Sequence, residues 1–147
     1  MKILIYTSMY YIGREKQNLP LIRELCSRNH HVIHAAPTNK LKLTNDTGFP
    51  NSFKNDKDFI NLNTHWIDSE NQMFRLIRKC DVLIFGNARG LDTFINYGKN
   101  KDKVIIQNMD LSTFDILNYD PDLFCTIGEK FRDAFLNLYD YPSNKIK

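Results

Sequence analysis

The sequence predicts one doubly wound α/β domain, in which a six-stranded, mostly parallel sheet carries helices on both faces. Short apolar segments rich in β-branched residues alternate along the chain with segments whose apolar residues recur at helical spacing. The length of 147 residues suits one such domain and is too short for two. We therefore treat residues 1–147 as a single domain.

The first β-α-β unit opens the chain. Lys2 to Thr7 (KILIYT) form a continuous apolar run, which is typical of a parallel strand covered on both faces. A helix is predicted from Asn18, which can cap it, with Pro20 in the first turn. The segment HHVIHAAP at residues 30–37 then returns to strand, and a right-handed crossover is expected.

A long polar loop at residues 38–58 follows, in which Gly48 and Pro50 break any periodicity. Beyond it, the pattern predicts strands at residues 59–62, 81–86, 104–107 and 123–127, and helices at residues 69–79, 91–97 and 129–139. The last residues, Lys145 to Lys147, resemble the first step into another strand. We therefore expect this chain to be the amino-terminal half of a two-domain protein.

Composition and motifs disfavour several classes of protein. The 20 basic and 17 acidic residues are interspersed, and the net charge of +3 gives little support to nucleic-acid binding, so no nucleic-acid partner is expected. The amino terminus lacks the apolar core of a secretory signal, and no apolar stretch is of membrane-spanning length, so a cytoplasmic location is expected. Because GxGxxG, P-loop, HExxH and CxxC spacings are all absent, we expect no metal ion and no cofactor.

The cysteines and most histidines are expected to be structural. Cys26, Cys80 and Cys125 are odd in number and far apart, which indicates buried thiols rather than disulfides. His34 lies inside a predicted strand and is expected to be a hydrogen-bonded core residue. His65 lies just past the predicted third strand, and it is the one histidine placed among the candidate substrate-binding residues.

The other candidate residues follow the strands. In an open parallel sheet, ligands bind beyond the carboxyl ends of the strands, near the point where the strand order reverses. Asp110, after the fifth strand, is a candidate acid or base catalyst. Glycine allows close backbone approach to a ligand, and guanidinium and amide groups can bind phosphate or sugar oxygens. The substrate-binding candidates of these types are Gly13, Arg14, Asn87, Arg89 and Asn108.

Several segments together resemble the amino-terminal domain of GT-B glycosyltransferases, especially capsule and surface-polysaccharide transferases and CDP-glycerol glycerophosphotransferases. These segments are KILIYTSMYY, LPLIRELCSRNHHVIHAAP, CDVLIFG, KVIIQN and DLFCTIGEKFRDAFLNLYDYPSNKIK. The resemblance implies a Rossmann-like lobe whose loop around Gly13 lines an interdomain cleft. It implies that Asn108 to Asp110 face the acceptor or the donor phosphate. Many relatives have a His-Gly pair at this position, so no catalytic histidine is carried over and Asp110 is a hypothetical replacement base.

The resemblance further implies that a second domain holds most of the nucleotide-sugar donor. Transfer of a sugar, or of glycerophosphate, to a glycan or lipid-linked acceptor in surface-polysaccharide synthesis is then expected. The mild positive charge also suits peripheral contact with the acidic inner face of a membrane. The alternative is a non-enzymatic nucleotide- or sugar-binding domain of flavodoxin-like or Rossmann-like shape, because this fold hosts many functions. A response-regulator receiver is disfavoured, since the residues after the first strand, Thr7, Ser8 and Met9, are not acidic.

Overall fold

A computed structural model describes residues 1–6, 18–38, 40–41, 55–86, 91–108, 120–126, 128–139 and 142–147. The strands are β1 (Lys2–Tyr6), β2 (His31–Pro37), β3 (His65–Ile67), β4 (Val82–Phe85), β5 (Val104–Asn108) and β6 (Leu123–Cys125). They form one sheet of six strands in the order β3-β2-β1-β4-β5-β6, and every pair is parallel. This is the doubly wound order that proceeds outward from β1 in both directions, so the predicted fold class is confirmed.

Five α-helices connect and cover these strands. They are α1 (Asn18–Ser27), α2 (Lys57–Asn61), α3 (Glu70–Lys79), α4 (Asp92–Lys99) and α5 (Glu129–Tyr139), and a 3-10 turn spans Ser143–Lys145. The helices predicted at residues 69–79, 91–97 and 129–139 are therefore present, each within two residues of its expected ends. Among the described residues, no helix is long and apolar enough to cross a membrane.

The sheet separates two apolar cores, and successive residues of each strand contribute to them alternately. Leu4 and Leu83 pack in the core beneath α3 and α4. Ile5 and Ile84 pack in the opposite core, against α1. Since a strand covered on both faces has no solvent-facing side, its sequence becomes a continuous apolar run, as in KILIY.

Helix α4 lies close to the sheet because Gly98 has no side chain. A Cβ atom at Gly98 would lie 2.6 Å from Leu83 Cδ1 and 3.0 Å from Ile105 Cδ1. One turn earlier, the Phe94 ring meets the Tyr6 ring edge-on, with centroids 5.7 Å apart. The small residue and the aromatic pair together set how α4 packs over β1, β4 and β5.

Two aspartates align the amino ends of neighbouring strands by the same pair of hydrogen bonds. Asp81, just before β4, accepts a hydrogen bond from Lys2 N at 2.8 Å and donates its own N–H to Lys2 O at 2.8 Å. Asp122, just before β6, accepts from Ile105 N at 2.8 Å and donates to Ile105 O at 2.9 Å. Each carboxylate satisfies an amide at the start of the adjacent strand, which favours the observed register.

The prediction of a third strand at residues 59–62 is wrong. Lys57–Asn61 form α2, and the Asp56 side chain caps this helix by accepting a hydrogen bond from Asp58 N at 2.9 Å. The third strand is His65–Ile67, which pairs with the end of β2. The apolar run FINL was too short for its period to distinguish strand from helix, and the cap decides for helix.

The predicted polar loop lies largely outside the described residues, which omit 39 and 42–54. Its amino-terminal end packs against the sheet. Thr38 N donates to Ile67 O at 2.9 Å, which extends the β2–β3 pairing. Leu41 is 6% exposed and joins the core beneath α3. Helix α2 also begins inside the range 38–58, so the loop is shorter than predicted.

The burial of the cysteines differs from the prediction at one position. Cys80 is buried and Cys125 is partly buried, but Cys26 is exposed. Cys26 follows Ile22 by one helical turn, but it lies in the last turn of α1 and is exposed, whereas Ile22 is buried. The prediction for His34 is confirmed, because this residue is 2% exposed and its Nδ1 lies 3.0 Å from the hydroxyl of Thr64.

The final residues add one strand-like step beside β6. Ile146 is bridged in parallel to Phe124 and is 2% exposed. Lys147 N donates to Phe124 O at 2.9 Å, and Thr126 N donates to Lys147 O at 2.7 Å. Lys145 Nζ donates to Asp120 Oδ1 at 2.7 Å, and this hydrogen bond lowers the pKa of Asp120. The expected step into another strand therefore takes the form of a single bridge.

Replacing Gly98 with Val should destabilise the fold by about 2 kcal/mol, since the added methyl groups must displace Leu83 and Ile105. The measurement is the urea dependence of unfolding. Asn96→Val is the matched control, because it adds a β-branched residue to the exposed side of the same helix. Equal midpoints for the two variants would show that α4 does not pack as described.

The exposed and the buried cysteine should differ in their rate of thiol modification. Burial raises the pKa of Cys80 to about 11, so this thiol is protonated at neutral pH as well as inaccessible. At pH 8, we expect iodoacetamide to modify Cys26 and to leave Cys80 unmodified until the protein is unfolded in urea. Peptide mass spectrometry measures both, and early modification of Cys80 would contradict the described core.

Candidate functional site

The strand order reverses between β1 and β4, and we call the region beyond their carboxyl ends the switch-point crevice. β1 pairs with β2 on one side and with β4 on the other, so crossovers leave this point in opposite directions. Gly86 N donates to Tyr6 O at 3.0 Å, which continues the β1–β4 pairing to the rim. In open α/β sheets such a position is the usual ligand site.

In the sequence, most predicted site residues follow β1, β4 or β5, the strands whose carboxyl ends lie at or beside this crevice. Those outside the described residues are Gly13, Arg14, Asn87, Arg89 and Asp110. Asn108 is the last residue of β5, where its backbone pairs with Cys125. The strands that precede these loops, β1, β4 and β5, are adjacent in the sheet. The topology therefore brings the starting points of the three loops to one edge.

His65 does not lie where the sequence placed it. It is the first residue of β3 rather than a residue after a strand, because the third strand is displaced along the chain. β3 is the edge strand, and β2 separates it from β1. Two strand spacings correspond to roughly 10 Å, so His65 belongs to the outer edge of the sheet and not to the switch-point crevice.

Gln107 is the most unusual polar residue at the crevice end of the sheet. The sequence suggested an amide at the rim, but Gln107 is 0% exposed, one residue before the end of β5. It pairs with Phe85 on one side and with Phe124 on the other. Its Oε1 and Nε2 atoms have no hydrogen-bond partner within the described part of the chain.

A buried amide without partners costs about 1–3 kcal/mol, so such groups are rare in folded proteins. By strand alternation, Gln107 shares a face with Ile105, on the side of the sheet that α4 covers. It lies in the last buried layer below the crevice. The sequence sign of this buried amide is a single polar residue, Gln107, directly after the apolar run VII of β5.

The described strand ends supply little acid or base chemistry. At the carboxyl ends of β1, β4 and β5 the residues are Tyr6, Phe85, Gln107 and Asn108, none of which is a carboxylate or a histidine. The described residues also contain no group of three or more His, Cys, Asp or Glu side chains that could hold a metal ion. These four strand-end residues therefore offer neither a carboxylate nor an imidazole as a base.

Comparisons with known proteins find similarity of fold. No family model and no curated protein sequence matches this chain. An alpha-glucosyltransferase in complex with UDP and a 13-mer DNA containing an HMU base superposes with a TM-score of 0.62 at 13% identity, over 99% of this chain and 42% of that one. An alpha-glucosyltransferase with UDP-glucose and DNA containing an abasic site gives a TM-score of 0.59 at 14% identity, over 99% and 41%.

A third structure, alpha-glucosyltransferase (AGT) in complex with UDP, gives a TM-score of 0.58 at 13% identity, over 86% of this chain and 35% of that one. This chain spans less than half the length of each of these three structures. At such low identity the likeness establishes the fold. The Rossmann-like fold expected from the resemblance is thereby confirmed.

Substituting Gln107 with Met should not weaken the fold and should stabilise it by on the order of 1 kcal/mol, since it removes two unpaired polar atoms at similar volume. Ile105→Met is the matched control, an apolar exchange on the same face of β5. Urea unfolding measures both. A loss of more than about 1 kcal/mol in Gln107→Met alone would mean that the amide has a partner in the folded protein.

Proposed function

We propose that this chain forms the acceptor-side lobe of a GT-B glycosyltransferase that takes a sugar from a nucleotide-sugar donor. The observation that carries the proposal is the parallel sheet in the order β3-β2-β1-β4-β5-β6, which superposes over 99% of the chain on a glucosyltransferase. The switch-point crevice supports it further, because a reversal of strand order in an open α/β sheet is the usual position of a ligand site.

A second lobe is part of the proposal. The chain corresponds to 35–42% of the length of the three glucosyltransferases, so one lobe of such an enzyme accounts for it. In the proposed arrangement the second lobe holds most of the nucleotide, and the switch-point crevice forms one wall of the cleft between the lobes. Those neighbours were solved with UDP or UDP-glucose, which makes uridine-linked sugars the first donors to test.

The proposed chemistry is the attack of an acceptor hydroxyl oxygen on the anomeric carbon of the donor sugar. The new glycosidic bond forms as the bond to the nucleoside diphosphate breaks, and the hydroxyl proton passes to a base. We propose Asp110 as that base, since the described ends of the neighbouring strands offer no carboxylate. Gly13, Arg14, Asn87, Arg89 and Asn108 are proposed to bind the acceptor or the departing phosphate.

Gln107 is proposed as a positioning residue beneath this site. Its amide is buried and unpaired among the described residues, so a polar group arriving above β5 would gain a hydrogen bond without having to displace an existing one. Gln107→Met should then raise KM for the acceptor with little change in kcat, while the fold remains stable. Substitution of a purely structural residue would not raise KM for the acceptor while leaving kcat nearly unchanged.

The acceptor class and the location in the cell are the finer parts of the proposal. A glycan or lipid-linked acceptor in surface-polysaccharide synthesis follows from the family resemblance, as does glycerophosphoryl transfer. Peripheral contact with the inner membrane face follows from the mild positive charge. Two of the compared glucosyltransferases were solved with DNA, so DNA joins the acceptors to be tested.

The test is an assay of the protein expressed from its whole reading frame. UDP-glucose, other nucleotide sugars and CDP-glycerol are each incubated with glycan, lipid-linked and DNA acceptors, and the released nucleotide is measured. Acceptor-dependent release of a nucleoside diphosphate supports sugar transfer, whereas release of CMP would indicate glycerophosphoryl transfer instead. Tight nucleotide binding without turnover of any donor would favour the non-enzymatic alternative.

Asp110→Asn should lower kcat by about 10²–10⁴-fold if this carboxylate is the base, because the amide cannot accept the hydroxyl proton. Asp115→Asn is the matched control, since it makes the same exchange five residues later in the sequence. Steady-state kinetics with the active donor measure both variants. Normal turnover in Asp110→Asn, or an equal loss in the control, would remove Asp110 as the base.

A further inference from the structure

A groove of about 280 Å³ lies between the edge strand β3 and helix α3, away from the switch-point crevice. Its floor is apolar and is made by Ile67 and Leu76, which are 2% and 9% exposed. His65 shares the face of Ile67 because side chains alternate along a strand. His65 is exposed and forms part of one wall of the groove.

The other wall is cationic. Arg75 and Lys79 lie four residues apart on α3, so their side chains project from the same side of the helix. Both residues are exposed, and neither forms an ion pair with another residue that the structure describes. Cations that neutralise no internal carboxylate remain free to bind an external anion.

Asp68, the acidic residue that follows Ile67 in the sequence, already has partners. Asp68 Oδ1 accepts a hydrogen bond from Thr38 Oγ1 at 2.5 Å, and Lys40 Nζ lies 3.8 Å from Asp68 Oδ2. Asp68 N in turn donates to Gln72 Oε1 at 2.6 Å, which fixes one end of the groove. The Asp68 carboxylate is thus held by Thr38 and Lys40, and Arg75 and Lys79 give the other wall its charge.

Further lysines lie near the carboxyl end of α3. Lys2, Lys79 and Lys103 all lie close enough to Cys80 to act on the charge of its thiol. The one acidic residue acting on the same thiol, Asp81, is hydrogen-bonded to the backbone of Lys2. In the groove itself, Arg75 and Lys79 are about 6 Å apart along the axis of α3, which favours an anion with more than one phosphate group over a single small anion.

The shape of the groove favours a nucleic-acid strand over a membrane surface as its ligand. A flat bilayer surface would meet the exposed cations but could not reach the recessed floor of Ile67 and Leu76. A nucleic-acid strand carries regularly spaced phosphates together with sugar and base surfaces that suit an apolar floor. We propose that the groove between β3 and α3 binds a single nucleic-acid strand, with phosphates on Arg75 and Lys79 and a sugar or base over Ile67 and Leu76.

This site goes beyond the proposed function, and it differs from the expectation that no nucleic acid is bound. Along the sequence the basic residues are interspersed with acidic ones, so no patch is apparent. Folding brings Lys2, Lys79 and Lys103 together near the end of α3, although they are far apart in the chain. The relevant charge is local, and the net charge of +3 does not reveal it.

The experiment is fluorescence anisotropy with a labelled twelve-nucleotide DNA strand across a range of salt concentrations. The double variant Arg75→Gln/Lys79→Gln should weaken binding by about tenfold or more at low salt. It should also reduce the slope of log K against log salt by about 1.4, or about 0.7 for each lost phosphate contact. Both substituted side chains are exposed, so the fold should be kept, and circular dichroism checks this.

Arg23→Gln/Lys130→Gln is the matched control. It removes the same charge from exposed positions on α1, which covers the other face of the sheet, and on α5, which follows β6 at the opposite edge. This control should bind the strand as the unsubstituted protein does. Equal weakening of the two double variants would overturn the proposal, because it would show a general charge effect.

Two further arms distinguish other sources of phosphate. Phosphatidylglycerol vesicles in a sedimentation assay, and inorganic phosphate as a competitor, should bind far more weakly than the DNA strand. Vesicle binding that depends on Arg75 and Lys79 without binding of the strand would overturn the proposal, as would full competition by equimolar phosphate. The readout is equilibrium binding of unmodified DNA, so its outcome is independent of whether any sugar is transferred.

Discussion

The structure depends on the burial of β1 on every side. This strand pairs with β2 and β4 through its backbone, and its last four residues are buried between helices on both faces of the sheet. A strand with no exposed side can carry only apolar residues, and its polar backbone groups must be satisfied by two neighbours. The connection after β1 leads to β2 and the connection after β4 leads to β5, so they run in opposite directions across the sheet and leave a crevice beyond the carboxyl ends of β1 and β4.

The crevice and the edge groove are sites of different physical character. At the crevice, parallel strands deliver loops to one rim, and the described strand ends are apolar or amide-bearing, with Gln107 as the one fully buried and unpaired amide. At the edge, the end of the sheet leaves α3 only partly covered, so that an apolar floor meets unpaired cations. A hydroxyl-rich acceptor suits the switch-point crevice, and a single nucleic-acid strand suits the groove between β3 and α3.

The differences between prediction and structure arise where the pattern was short or the relevant neighbours were distant. FINL could serve either as strand or as helix, and the Asp56 side chain decides for helix by capping it. Cys26 follows the apolar spacing of α1, yet it is exposed in the last turn of the helix, because burial there depends on which distant residues pack against it. His65 moved from a crevice loop to the edge strand because the third strand begins later than its apolar run suggested.

The sequence by itself determined the fold class, five of the six strands and the four longer helices, because burial on both faces and helical periodicity leave direct marks in the order of residues. It also indicated which loops follow neighbouring strands. Only the tertiary structure decided that Gln107 is buried without a partner among the described residues and that lysines from three distant segments approach the carboxyl end of α3. Burial of one side chain and proximity of charges depend on contacts between residues far apart in the chain, which no local pattern encodes.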